Sequence, residues 1–126
     1  MKKTPAEKWQ VAVMNYKKQC QNILKLSGNV RYAGVINAYG GTLTGIIKPN
    51  VKPLLKSEEV KNEFFIVSTL ISLRQNNDIG KLDYVLLKHS RVNILILHKN
   101  NVTFYVSINP KEKNSEQLVS KIKKII

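Results

Sequence analysis

Between Leu82 and Ile108 the chain reads as three β-rich runs in which both alternating sets of side chains are largely apolar. That double alternation restricts the fold more than any other feature. The runs are Leu82 to His89, Val92 to His98 and Val102 to Ile108. Ser90-Arg91 separates the first two and Asn100-Asn101 the last two, and an Asn pair accepts the positive φ angles of a two-residue hairpin turn. Two-residue loops dictate the register: His89 opposite Val92, Leu87 opposite Ile94, Leu97 opposite Phe104 and Leu95 opposite Val106. One face then carries Tyr84, Leu86, Leu95, Leu97, Phe104, Val106 and Ile108. The other carries Val85, Leu87, Val92, Ile94 and Ile96, with Thr103, Tyr105 and Ser107 from the last run. A sheet apolar on both faces has to be covered on both, so helices must pack on each side.

The rest of the chain supplies them. Thr4-Pro5-Ala6-Glu7 is a helix start, with Thr4 as cap, Pro5 at the first helical position and Glu7 completing a capping box. Beyond it Trp9, Val13, Tyr16, Cys20 and Ile23 recur at helical spacing, flanked by Ala12, Leu24 and Leu26. The Trp9 indole is therefore expected to pack this helix against the sheet. Ser27-Gly28-Asn29 ends the helix, with Gly28 just past its last turn. Tyr32 to Tyr39 and Thr42 to Ile47 then form a hairpin around Gly40-Gly41. Gly34 and Gly45 inside its strands point to bulges or to close approach of a covering helix. Pro49-Asn50 and Pro53 mark Lys48 to Lys56 as a loop.

A second helix opens at Ser57, the expected cap, with Glu58 and Glu59 complementing its dipole. Asn76-Asn77-Asp78 and Gly80 close it. Val60, Phe64, Phe65, Ile66, Val67, Leu70, Ile71 and Leu73 occupy most of its circumference, which is too apolar for a helix with one wet side. After Pro110, Asn114 or Ser115 caps a final helix. There Leu118, Ile122 and Ile125 face inward, Val119 and Ile126 flank them, and Lys121, Lys123 and Lys124 stay in water. The expected order is α-β-β-α-β-β-β-α. It describes one α+β domain over residues 1–126, a five-stranded antiparallel sheet with helices on both faces.

That order is carried by Tyr32 to Ile47 (YAGVINAYGGTLTGII), the helix Ser57 to Asn76 and the meander Leu82 to Ile108. It resembles the roadblock / dynein light chain family of profilin-like folds. The resemblance covers nearly the whole chain and rests on element order and apolar pattern. It implies a middle helix on one side of the sheet and the terminal helices on the other. It also implies a homodimer through the middle helix and third strand, here Phe64, Phe65, Ile66 and Val67 with Tyr84, Val85, Leu86 and Leu87. The function it implies is non-enzymatic: a dimeric scaffold or regulator, often of small GTPases, or a subunit of a larger assembly. Two features of the residues agree with such a dimer independently. The second helix is apolar nearly all round, and Tyr84 to Leu87 would be an apolar edge strand, a liability unless something pairs with it. No residue is singled out as a GTPase contact.

Composition enters at the charge, 21 basic residues against 8 acidic for a net +13. Such a balance favours polyanions: nucleic acid, an anionic membrane surface or an acidic protein face. Apart from Arg31, Arg74 and Arg91 every basic residue is Lys, which supplies attraction without the bidentate forks that read base edges. Lys17, Lys18, Lys25, Lys121, Lys123 and Lys124, on the outer sides of the terminal helices, are the candidate polyanion-binding set. Lys8, Lys111 and Lys113 would extend it. Plain solvation of a lysine-rich surface is the alternative.

The lone Cys20 excludes an internal disulfide, and the basic start leads into an amphipathic segment instead of an apolar leader. With no run near the roughly 18 apolar residues of a membrane span, the cytoplasm is the expected compartment. Catalytic chemistry is not signalled. His89 and His98 are the only histidines, and Asp83, roughly opposite His98, falls short of a zinc set. Cys20 lies on the apolar side of its helix and reads as a structural thiol. Gly40-Gly41 lacks the Lys-Ser/Thr of a phosphate loop. Glu58 and Glu59 read as surface acids. No catalytic residue, metal or cofactor is expected.

Overall fold

The computed structural model describes residues 2–74 and 77–126. Among the described residues three α-helices, α1 (Pro5–Leu24), α2 (Ser57–Leu73) and α3 (Ser115–Ile125), and a short 3-10 helix (Asn77–Ile79) accompany five strands. The strands are β1 (Val30–Ile36), β2 (Thr42–Ile47), β3 (Val85–Lys88), β4 (Asn93–Lys99) and β5 (Val102–Ile108). They form one antiparallel sheet in the order β2-β1-β5-β4-β3.

The meander has the expected register, Leu87 opposite Ile94, Leu95 opposite Val106 and Leu97 opposite Phe104. The His89 N–H donates to the Val92 carbonyl at 3.0 Å. Asn100 and Asn101 take φ angles of 53° and 65°, the left-handed pair that matches the twist of a tight hairpin. β1 then lies along β5, and the alternation sorts every strand into the same two faces. The row Ile46, Ala33, Val106, Leu95, Leu86 points to one side. Cys20 and Ile23 of α1 and Leu118, Val119 and Ile122 of α3 close over it. The row Gly45, Gly34, Tyr105, Ile96, Val85 points to the other, under Phe64, Val67 and Ile71 of α2. Both faces are covered, as an all-apolar sheet requires.

The element ends depart from expectation, each for a local reason. β1 starts two residues early, at a fully buried Val30 opposite Ile108, and stops at Ile36. The hairpin loop is Asn37 to Gly41, longer than a Gly-Gly pair, because the Asn37 side chain organises it. Its Oδ1 accepts from the N–H groups of Tyr39 and Gly41, both at 2.9 Å, an arrangement in which Asn replaces a turn of backbone. β3 begins at Val85 instead of Leu82. Leu82 packs with the α2 side whereas Tyr84, two residues on, packs with the other, so strand alternation is broken between them.

Ser57 is the first residue of α2, not its cap. The cap is Lys56, whose N–H donates to the Glu59 carboxylate at 3.1 Å. The helix ends at Leu73 with Arg74 as C-cap, and the expected boundary residue Asn76 lies outside the described residues. Thr4 caps α1 as expected, and of the two residues offered for α3 the cap is Asn114; they accept from the N–H groups of Glu7 at 3.2 Å and Gln117 at 3.0 Å.

Trp9 is not in the core. It is 54% exposed, although it shares a helical stripe with Tyr16 and Cys20, because α1 becomes buried only toward its C-terminal half and its first two turns are exposed. Gly34 and Gly45 meet neither a helix nor a bulge. The Tyr32 ring from their own sheet lies across both, where their Cβ atoms would project.

Gly40 combines a left-handed backbone with a close backbone contact. Its φ is 84°, and an added Cβ would stand 2.9 Å from the Phe65 Cα and N, so the hairpin tip touches the α2 backbone. Gly40→Ala is expected to cost about 2–4 kcal/mol in denaturant unfolding, from left-handed strain plus this collision. Gly28→Ala, where nothing lies within 4 Å of the added Cβ, should change stability by less than about 0.5 kcal/mol. Equal effects at the two sites would contradict the contact between hairpin and helix.

Candidate functional site

α2 divides its apolar residues between two directions. Phe64 and Val67, at 3% and 2% exposure, are spent on the sheet. Phe65, Ile66 and Leu73 stand on the opposite side at 62%, 61% and 72%. With Asn62, Thr69 and Ser72 they make up the exposed residues of the helix from Asn62 to its end, and none carries a charge. Helical spacing puts Phe65, Ile66, Thr69 and Leu73 on one stripe. Of the expected interface set on α2, Phe65 and Ile66 are free to meet a partner, and Phe64 and Val67 support them from beneath.

β3 is the outermost strand on one side of the sheet. Val85 and Leu87 are half-buried toward the α2 side, and Tyr84 and Leu86 toward the other. The outer edge of β3 pairs with no strand among the described residues. α2 thus leaves an apolar stripe exposed, and β3 leaves its outer edge unpaired among the described residues.

The terminal helices share one side of the sheet, where the Gln19 amide of α1 donates to the Ile125 carbonyl of α3 at 3.4 Å. Lys17, Lys18, Lys25, Lys121, Lys123 and Lys124 are all exposed there. Lys123 is ion-paired with Asp83. Asp83, roughly opposite His98 in the register, is thus engaged by α3. The His98 Nδ1 lies 3.4 Å from the Thr103 hydroxyl instead, and burial lowers the His98 pKa.

The remaining chemical candidates resolve toward structure. Cys20 is fully buried and burial pushes its thiol up to about 12, so at neutral pH it carries no thiolate nucleophile. No group of three or more metal-ligating side chains occurs among the described residues, and none of the described helices is long and apolar enough to cross a membrane. Burial, with the carboxylate of the half-buried Glu63 of α2 nearby, raises the Tyr105 pKa. A cleft of about 510 Å³ also opens between the start of α2, the 48–56 loop and the sheet. Nothing in a linear reading marks it, because its residues come from distant parts of the chain.

No protein-family model and no curated protein matches the chain. Solved structures do. A Roadblock/LC7 domain from Streptomyces avermitilis superposes with a TM-score of 0.65 at 12% identity, over 86% of this chain and 88% of that one. The chain has the Roadblock/LC7 fold. The gliding protein MglB from Thermus thermophilus matches with a TM-score of 0.65 at 10% identity, over 90% and 89% of the two chains. Myxococcus xanthus MglB gives 0.66 at 8% identity, over 98% and 85%. Identities this low report architecture. In this Roadblock/LC7 fold the middle helix takes one face and the terminal helices the other, as the resemblance had implied.

Proposed function

We propose that this protein is a cytoplasmic, non-catalytic scaffold or regulatory module that works as a homodimer and presents its assembled surface to a protein partner, a small GTPase first among the candidates. The observation that carries the reading is the exposed, uncharged stripe of Phe65, Ile66, Thr69 and Leu73 on α2; the outer edge of β3, unpaired among the described residues, is a second surface open to a partner. Exposed apolar residues grouped this way mark interaction surfaces. A twofold axis would bury the stripe against its own copy. The likeness to Roadblock/LC7 domains supports the same mode, through the middle helix and third strand.

Sedimentation at micromolar concentration tests the dimer, and a clean 14.4 kDa monomer ends this reading. Affinity capture from native lysate, repeated with GTP and GDP analogues, tests the partner. Nucleotide-dependent recovery of a GTPase is the expected result. Recovery of ribosomes or DNA alone would transfer the weight to a second reading.

That second reading is polyanion binding, favoured by six exposed lysines on two helices that share one face. Six phosphate contacts predict a slope of about −5 in log K against log [salt] for duplex DNA, with little sequence preference. Changing Lys121, Lys123 and Lys124 to Glu should abolish low-salt binding. Binding indifferent to that reversal, or confined to anionic vesicles, removes nucleic acid as the partner.

A further inference from the structure

The row Ile47, Tyr32, Ser107, Ile94, Leu87 crosses all five strands on the α2 side of the sheet. In the adjacent row, β2 and β1 contribute Gly45 and Gly34, and this pair admits the Tyr32 ring, whose hydroxyl stands where their Cβ atoms would project. Tyr32 thus leans out of its own row, and its neighbour there is the small Ser107. Above the sheet, the rings of Tyr105 and Phe64 meet edge to face at 4.9 Å and stand between strand and helix. The space left over is the cleft of about 510 Å³, floored by Tyr32, Ser107 and Ile94 and walled by Val60 of α2 and by Val51 and Leu55 of the loop. Its size and apolar lining are those of small-ligand sites, which run to about 300–1,000 Å³.

The charged residues that line it are Arg31, Lys52 and Lys61, and no acid does so among the described residues. The Arg31 Nη2 donates to the Lys52 carbonyl at 2.9 Å, which ties strand β1 to the loop beside the cleft. We propose that this cleft binds a small amphipathic organic anion, its apolar body over Ser107 and Ile94 and its charged head at Arg31, Lys52 and Lys61. A neutral or cationic amphiphile would satisfy the apolar lining and leave the three cations without a counter-charge. This assignment stands apart from the dimer reading, since neither Phe65, Ile66, Leu73 nor β3 lines the cleft.

Sodium decanoate, decan-1-ol and decyltrimethylammonium, titrated against the isotopically labelled full chain and followed by amide chemical shifts, test it. Decanoate is expected to give saturable shifts centred on Val60, Ile94 and Ser107, with a Kd on the order of 100 µM. Decan-1-ol should bind about tenfold more weakly and the cation not saturably. Lys52→Glu with Lys61→Glu should weaken decanoate by about tenfold or more, and Ser107→Leu should close the floor. Equal responses to the three amphiphiles, no saturable response to decanoate, or shifts centred on Phe65 and Leu73 would each overturn the proposal. So would an extended apolar peptide that protects the β2 amides where decanoate does nothing. Should Ser107→Leu lower the yield of folded protein, the exposed lysine pair decides alone, and unchanged decanoate affinity in that variant overturns it.

Discussion

Replacing Phe65 and Ile66 together by Asp is expected to turn a dimer into a folded monomer at micromolar concentration. Both side chains lie outside the two cores, so the fold should keep its circular dichroism and its cooperative unfolding. In an interface between identical copies each substitution appears twice, and each new carboxylate would be buried against its own symmetry mate. Loss of two apolar anchors at about 2 kcal/mol or more apiece, plus that desolvation, should raise the dimer Kd more than about 1,000-fold. Sedimentation velocity of the wild type and the variant over a dilution series is the measurement. Val67→Asp supplies the contrast. It lies on the same helix but points into the α2 core, so it is expected to unfold the protein before it dissociates anything. A Phe65/Ile66 variant that still sediments as a dimer would place the interface elsewhere.

Phe104→Ala is expected to remove about 3–5 kcal/mol, a large part of the roughly 5–15 kcal/mol that holds a domain folded. The ring sits on the central strand β5, between Val35 and Leu97 in its row. It meets Tyr16 of α1 edge to face at 6.3 Å. Deleting it opens a cavity where sheet and helix join, and close-packed neighbours relax into such a space only in part. Chemical denaturation should show the loss as a lowered midpoint with little change in slope. Trp9→Ala removes a larger ring but a half-exposed one, and should cost less than about 1 kcal/mol. A larger loss at Trp9 than at Phe104 would mean that the start of α1 is held by contacts absent from this architecture.

Much of this was legible residue by residue, and the exceptions have a common origin. The meander was readable because its register depends only on alternation and on two short turns, both local in sequence. Helix caps at Thr4 and Asn114 were readable for the same reason. The two sides of α2 were not. A helix apolar around most of its circumference carries no direction, and Phe64 and Phe65 became opposite in role only when β5 and its Tyr105 took a place beneath one of them. Trp9 shows the complementary failure. Its helical phase pointed to the sheet, but α1 is buried only toward its other end, and where a helix gains its cover is set by what packs beside it. Gly34 and Gly45 invited a helix or a bulge, and the occupant was a tyrosine two residues away from one and on the strand beside the other.

By itself, then, the sequence determined the elements, their order, the pairing within the meander and the need for helices on both faces, because propensity, periodicity and turn chemistry act over a few residues. The tertiary structure alone decided that β1 pairs with β5, and with that contact came everything that depends on residues far apart in the chain. It set which α2 residues remain exposed, brought the lysines of α1 and α3 to one side, and assembled the cleft from β1, β2, α2, β4 and β5. Pairing over such separations is a balance between loop-closure entropy and area buried across the whole molecule, and no short window of residues contains that balance.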